Sequence, residues 1–237
     1  MDFLKKILTP QISSEIASLR TFMLEDLKKS GISSEAANQF KFRPVTKSDA
    51  EKILGFPLPE TAGGGYSIPF HDPGTGVALS FDSGDVQRIF ERIRFEKPVQ
   101  LDPSGKPAKY LSPKGGGIHA FILPEVHKLL ISEPDQPLLM TEGEKKSIAA
   151  LQKGVHAVGI CGIWGWITGG GNKELNPEIA RYMSPKRDVI MIFDSDSREL
   201  RKKADFDACA ESLAAALMPY DSGLFRLDMP GLEVKND

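Results

Sequence analysis

Apolar positions change their spacing twice along this chain. Ile12, Ile16, Leu19, Met23 and Leu27 recur at helical spacing and predict an amphipathic helix that ends near Lys28, Lys29 and Gly31. "SSEAANQF" predicts a second short helix, and Ser48 with Glu51 three residues on has the form of a capping box before "KILGF". From 61 to about 124 the chain reads as short strand-like runs between turn residues: "GGGYSIPFHDPGTG", "RIFERIRF" and "PVQLDPSGKPAKYLSPKGGGIHAFIL". After "SEPDQP" strands and helices alternate. "LLMT", "VHAVGI", "DVIMIF" and "GLFRLD" are continuous apolar strands. "EKKSIAALQKG", "NPEIARYM" and residues 204–218 are helical, the last with Phe206, Cys209, Ala210, Leu213 and Leu217 on one face. Such alternation predicts a parallel sheet covered by helices. The expected organisation is a helical segment over 1–55, a small basic α+β subdomain over 56–130 and an α/β domain over 131–237.

Composition adds less. A chain of 237 residues that is 41% hydrophobic can bury one large or two small cores. Its formal net charge of -2 provides no global basic field, so a polyanion must be met by a local patch. Arg88, Arg92, Arg94, Lys97, Lys106, Lys109 and Lys114 concentrate positive charge in the middle segment and form that candidate patch. Two cysteines, Cys161 and Cys209, without CxxC spacing argue against a disulfide framework or a cysteine-ligated zinc, and read as buried thiols in a reducing compartment. No stretch has the form of a signal peptide or a membrane span, so a soluble, cytoplasmic protein is expected.

The chemistry concentrates where strands end, since working groups in open parallel sheets lie beyond the carboxyl ends of the strands. Glu142 follows "LLMT", and Asp194 and Asp196 follow "DVIMIF". If the two strands are neighbours, the three carboxylates gather at one edge and repel one another unless a cation neutralises them. Oxygen ligands without histidine or cysteine suit Mg²⁺ or Mn²⁺, and the implied chemistry is phosphoryl transfer. Glu142 is alternatively a general base. Either motif alone has an ordinary explanation: DxD occurs on acidic turns, and "EGE" places acids at a helix start. Their joint placement is harder to reach by accident.

On these residues the chain resembles a known family. "LLMTEGEKKSIAALQKG" together with "DVIMIFDSDS" is similar to the Toprim domain of DnaG-type primases, type IA topoisomerases and OLD-type nucleases. The resemblance puts Glu142 in the place of the motif glutamate and Asp194 and Asp196 in the place of the DxD pair, as catalytic and metal-binding residues. Upstream, "RIRF…GKPAKYLSPKGGGIHAF" looks like the stretch that precedes Toprim in bacterial and phage primases. By that likeness Arg92, Arg94, Lys109, Tyr110 and Lys114 contact template or nucleotide phosphates. "DLKKSGISSEAANQF", "EGEKKSIAALQKG", "GIWGW" and "FDSDS" are similar to a primase-related module of plasmid and phage replication proteins, often fused to a helicase.

The resemblance therefore implies a Toprim parallel sheet flanked by helices behind a small basic subdomain. It also implies a primase-like nucleotidyltransferase acting on single-stranded DNA with nucleoside triphosphates and a helicase partner or fused helicase domain. A Toprim nuclease and a non-catalytic DNA-binding or helicase-associated module are the alternatives. The chain departs from the family at Lys146, where DnaG-type primases carry an aspartate. It also has neither the cysteines of a zinc ribbon nor a GxxxxGK[ST] phosphate loop. Glu144, Lys145 and Lys146 read as exposed helix-start residues, with Glu144 a secondary ligand candidate. Trp164 and Trp166 read as core packing before base stacking.

Overall fold

The structure is a computed structural model that describes residues 10–102, 104–168, 173–193 and 200–228. The chain divides into two compact units. One takes the residues up to His71 together with Val77–Gly117, and the other takes Asp72–Gly76 and the chain from Ile118 onward.

In the first unit, α1 (Pro10–Lys29) buries Leu19, Met23 and Leu27, the predicted stripe. It stops where Gly31, at φ 74, lets Ile32 N bond back to Leu27 O. The Ser33 side chain caps α2 (Ser34–Gln39). After β1 (Arg43–Val45), α3 (Lys47–Leu54) is capped by Thr46, not Ser48. Thr46 Oγ1 accepts from Asp49 N at 3.2 Å and donates to Asp49 Oδ2 at 2.8 Å, so the N-cap lies two residues earlier than expected. Glu51 instead accepts from Leu58 N at 2.9 Å.

The strands β2 (Gly65–Pro69), β5 (Glu91–Val99) and β6 (Ala108–Leu111) complete an antiparallel sheet in the order β1-β2-β5-β6. Between β2 and β5 the chain forms a separate ribbon, β3 (Ser80–Ser83) with β4 (Val86–Ile89). "RIFERIRF" is therefore two strands broken at Phe90, whose N–H donates to Leu79 O and whose carbonyl accepts from Phe70 N. Strand alternation sends Ile93 and Phe95 into a core with Val45, Ala50, Leu54, Leu58 and Val99. Arg94 goes to the opposite face, paired across the sheet with Tyr66 and Tyr110. Every residue of β2 is buried, as expected of a strand covered on both faces.

The second unit carries α4 (Pro124–Ser132), β7 (Leu138–Glu142), α5 (Glu144–Leu151), β8 (Ala157–Ile160), α6 (Pro177–Ala180), β9 (Val189–Phe193), α7 (Leu200–Leu217) and β10 (Leu224–Asp228). The four strands form one sheet in the order β10-β9-β7-β8, all parallel, flanked by helices. The stretch "GIHAFIL" makes no strand. Phe121 forms a single antiparallel bridge with Gly159 at the outer edge of β8. Of the expected stripe on α7, Phe206, Cys209, Leu213 and Leu217 are buried. No described helix is long and apolar enough to cross a membrane.

Candidate functional site

The second unit presents a candidate edge. In a parallel sheet with crossover helices, neighbouring strands finish on the same side. β7 lies between β8 and β9, with Glu142 opposite Ile160 and Thr141 opposite Ile192. The condition set by the sequence is met: the strands ending at Glu142 and Phe193 are neighbours, parallel and level. Asp194 and Asp196 themselves lie outside the described residues.

Glu142 is half-buried, and the turn behind it is tightly held. Gly143 takes φ 94 and ψ 153, a conformation open to glycine alone, and this reverses the chain from strand into α5. Its N–H donates to Ile160 O at 2.7 Å, and Ser147 Oγ donates to Ala157 O at 2.6 Å, which binds the start of α5 to β8. Lys146 is exposed. Glu144 is not an exposed helix-start acid; it is 3% exposed, and the Cys161 thiol donates to its Oε1 at 3.5 Å. The same thiol lies 3.6 Å from His119 O, and His119 Nδ1 shares a 2.7 Å hydrogen bond with Glu178 Oε1. Glu178 Oε2 accepts from Ala120 N at 2.7 Å, so a run of polar contacts supports this side of the edge. On α7 the buried Cys209 thiol donates to Ile163 O at 2.9 Å. Burial first, with the Glu142 charge a lesser cause, raises its pKa above the ordinary thiol value and keeps it protonated.

Among the described residues no group of three or more histidine, cysteine or acidic side chains converges on a point where a metal ion would sit. Glu142 offers oxygen donors at a strand end, the chemistry that suits a hard divalent cation.

The first unit carries the predicted basic residues, and the sheet sorts them. Arg92, Arg94 and Tyr110 share a face. Both guanidinium carbons lie 5.4 Å from the centre of the Tyr110 ring, and Arg94 lies at the same distance from Phe22. Arg94 is also ion-paired to Asp26 at 3.1 Å, donates to its own strand at Phe95 O, and is largely buried. Asp26 accepts in addition from the Tyr66 hydroxyl at 2.7 Å, and burial raises the Tyr66 pKa above its ordinary value. Lys109, adjacent to Tyr110 in β6, alternates to the other face and is exposed. Lys114 is exposed in the turn after β6, where its backbone N–H donates to Leu54 O. The partners that hold Arg94, namely Asp26, Phe22 and Tyr66, were not foreseen. They sit some 30–70 positions away in sequence, and no local pattern links them.

Taken together, the described elements define a mixed α/β protein with a four-stranded parallel sheet flanked by helices and an antiparallel basic unit before it. In backbone path it is similar to the crystal structure of the RNA polymerase domain of Mycobacterium tuberculosis primase DnaG. The TM-score is 0.53 and the identity 15%, over 94% of this chain and 76% of that one. The chain thus has a primase-like fold. A family model described as "Domain of unknown function (DUF3854)" matches residues 127–219, the stretch from α4 to the end of α7. No curated protein matches the sequence.

Proposed function

We propose that the chain is a Toprim-type, metal-dependent nucleotidyltransferase that makes primers on single-stranded DNA in plasmid- or phage-type replication, working beside a helicase. The observation that supports this most is the parallel, level pairing of β7 and β9, which brings Glu142 and the end of the strand before Asp194 and Asp196 to one edge. Glu142, Asp194 and Asp196 would hold Mg²⁺ or Mn²⁺; when bound, the ion supplies charge neutralisation at the phosphates and orientation of the attacking hydroxyl. Alternatively, Glu142 would take the proton of that hydroxyl as general base.

Arg92, Tyr110, Lys109 and Lys114 are assigned to template or nucleotide phosphates. Arg94, offset by Asp26 and lying against the Tyr110 and Phe22 rings, would hold Tyr110 and Arg92 in place rather than add net charge. The deciding assay is incorporation of labelled ribonucleotides on a single-stranded template with Mg²⁺. Product is expected from the wild type, and loss by at least ~100-fold in Glu142→Gln and Asp194→Asn with folding retained, the size typical of removing an essential acid–base or electrostatic group. Nicking of DNA without nucleotides would replace this reading with a nuclease. Salt-sensitive DNA binding with function intact in Glu142→Gln would replace it with a non-catalytic module.

A further inference from the structure

The two tryptophans, both in "CGIWGWITGGG", have separate fates. Trp166 is fully buried, and its Nε1 donates to Cys209 Sγ at 3.3 Å; it belongs to the core. Trp164 is only half-buried, and a cation lies against it: Lys173 Nζ is 5.1 Å from the centre of a Trp164 ring and donates to Ser212 Oγ at 2.8 Å. Trp164 stands four residues beyond Ile160, the strand-end partner of Glu142, in a turn closed by Gly165 N bonding to Gly162 O. The neighbouring Ile163 carbonyl accepts from the Cys209 thiol at 2.9 Å. The indole thus lies in the loop that leaves β8 at the edge where β7 ends in Glu142.

We propose that Trp164 and Lys173 form an exchange site for a base of the single strand: the base displaces the Lys173 ammonium from the indole and stacks there, while the ammonium turns to the adjoining phosphate. This rests on the single-stranded DNA reading above and adds a base-contacting residue to it. Magnitudes favour the exchange. A cation over a half-exposed indole is worth roughly 2- to 5-fold in an equilibrium. One base stacked on an aromatic ring is worth on the order of 5- to 100-fold in affinity. Glu174 and Glu211 line a groove of about 740 Å³ together with Lys173 and Ser212, so negative charge stands beside the site and stacking rather than charge carries the contact.

The test titrates the protein with an oligothymidylate, reading tryptophan fluorescence, and in parallel a fluorescein-labelled copy, reading anisotropy. Expected is a quench with the same midpoint as the anisotropy change and absent in Trp164→Leu, whose affinity falls on the order of 5- to 100-fold. Trp164→Phe, which keeps an aromatic ring and the packing, retains most of the affinity. Lys173→Met weakens binding less than Trp164→Leu. Binding by anisotropy with no quench, and with wild-type affinity in Trp164→Leu, overturns the assignment. No binding by anisotropy overturns it together with the single-stranded DNA reading, and the two failures are told apart by that channel.

Discussion

At Gly143 one backbone conformation decides where a carboxylate points. The residue sits at φ 94 and ψ 153, and a Cβ built there would meet nothing within 4 Å. Replacing it by alanine therefore brings no clash, only strain, about 1–3 kcal/mol for a side chain forced into a region that glycine alone favours. Gly143→Ala should lower the urea-unfolding free energy by that amount and lower primer synthesis further, because relief of the strain rotates Glu142 from its strand-end position. An activity that falls no more than stability does would count against this. The position of Glu142 at a strand end was legible in sequence because it follows a continuous apolar run. The burial of Glu144 was not, since it depends on Cys161, seventeen positions away in the chain. Nor did sequence separate Trp164 from Trp166: two tryptophans at i and i+2 in a turn have no periodicity to tell a buried one from a half-buried one.

At the level of elements, the strongly periodic stretches were readable: α1, α5, α7 and the strands β7, β9 and β10 fall where apolar spacing placed them. What escaped was set by distant partners. α4 was not foreseen, although Pro124 at its first turn and the pair Val126 and Leu130 fit a helix start. Its C-terminus is completed by a residue outside the element. Arg187, 2% exposed, donates to Leu130 O at 2.9 Å, Glu133 O at 2.8 Å, Pro134 O at 2.9 Å and Tyr182 O at 2.7 Å. The guanidinium fork thus satisfies carbonyls that a helix end leaves without partners and binds α4 to the start of β9. Arg187→Met should cost about 3 kcal/mol, because several buried carbonyls lose their donor at once. Arg187→Lys should recover only a minor part, since one ammonium lacks the planar fork. Denaturant unfolding of both variants measures this, and equal stability of Arg187→Lys and wild type would refute the capping role.

Over the whole molecule, a formal charge of -2 makes any attraction to nucleic acid a local affair. The size of that local patch follows from the antiparallel sheet. Arg94 is already offset by Asp26 at 3.1 Å, so it adds little net charge. Of the residues assigned to phosphates this leaves Arg92, Lys109 and Lys114 to be counted at one contact each, with Lys109 alternating to the other face from Tyr110 in β6. Three phosphate contacts on a single strand release counterions with a slope of about -2 in log K against log salt. Arg92→Ala and Lys109→Ala should each reduce that slope by about 0.7, and together by about 1.4, because the two act on separate phosphates. Asp26→Asn should instead leave Arg94 with an unshared charge and steepen the slope while destabilising the fold. Anisotropy titrations over a salt series decide the matter. A wild-type slope far steeper than about -2 would mean that the segment from Arg92 to Lys114 is only part of the nucleic-acid face.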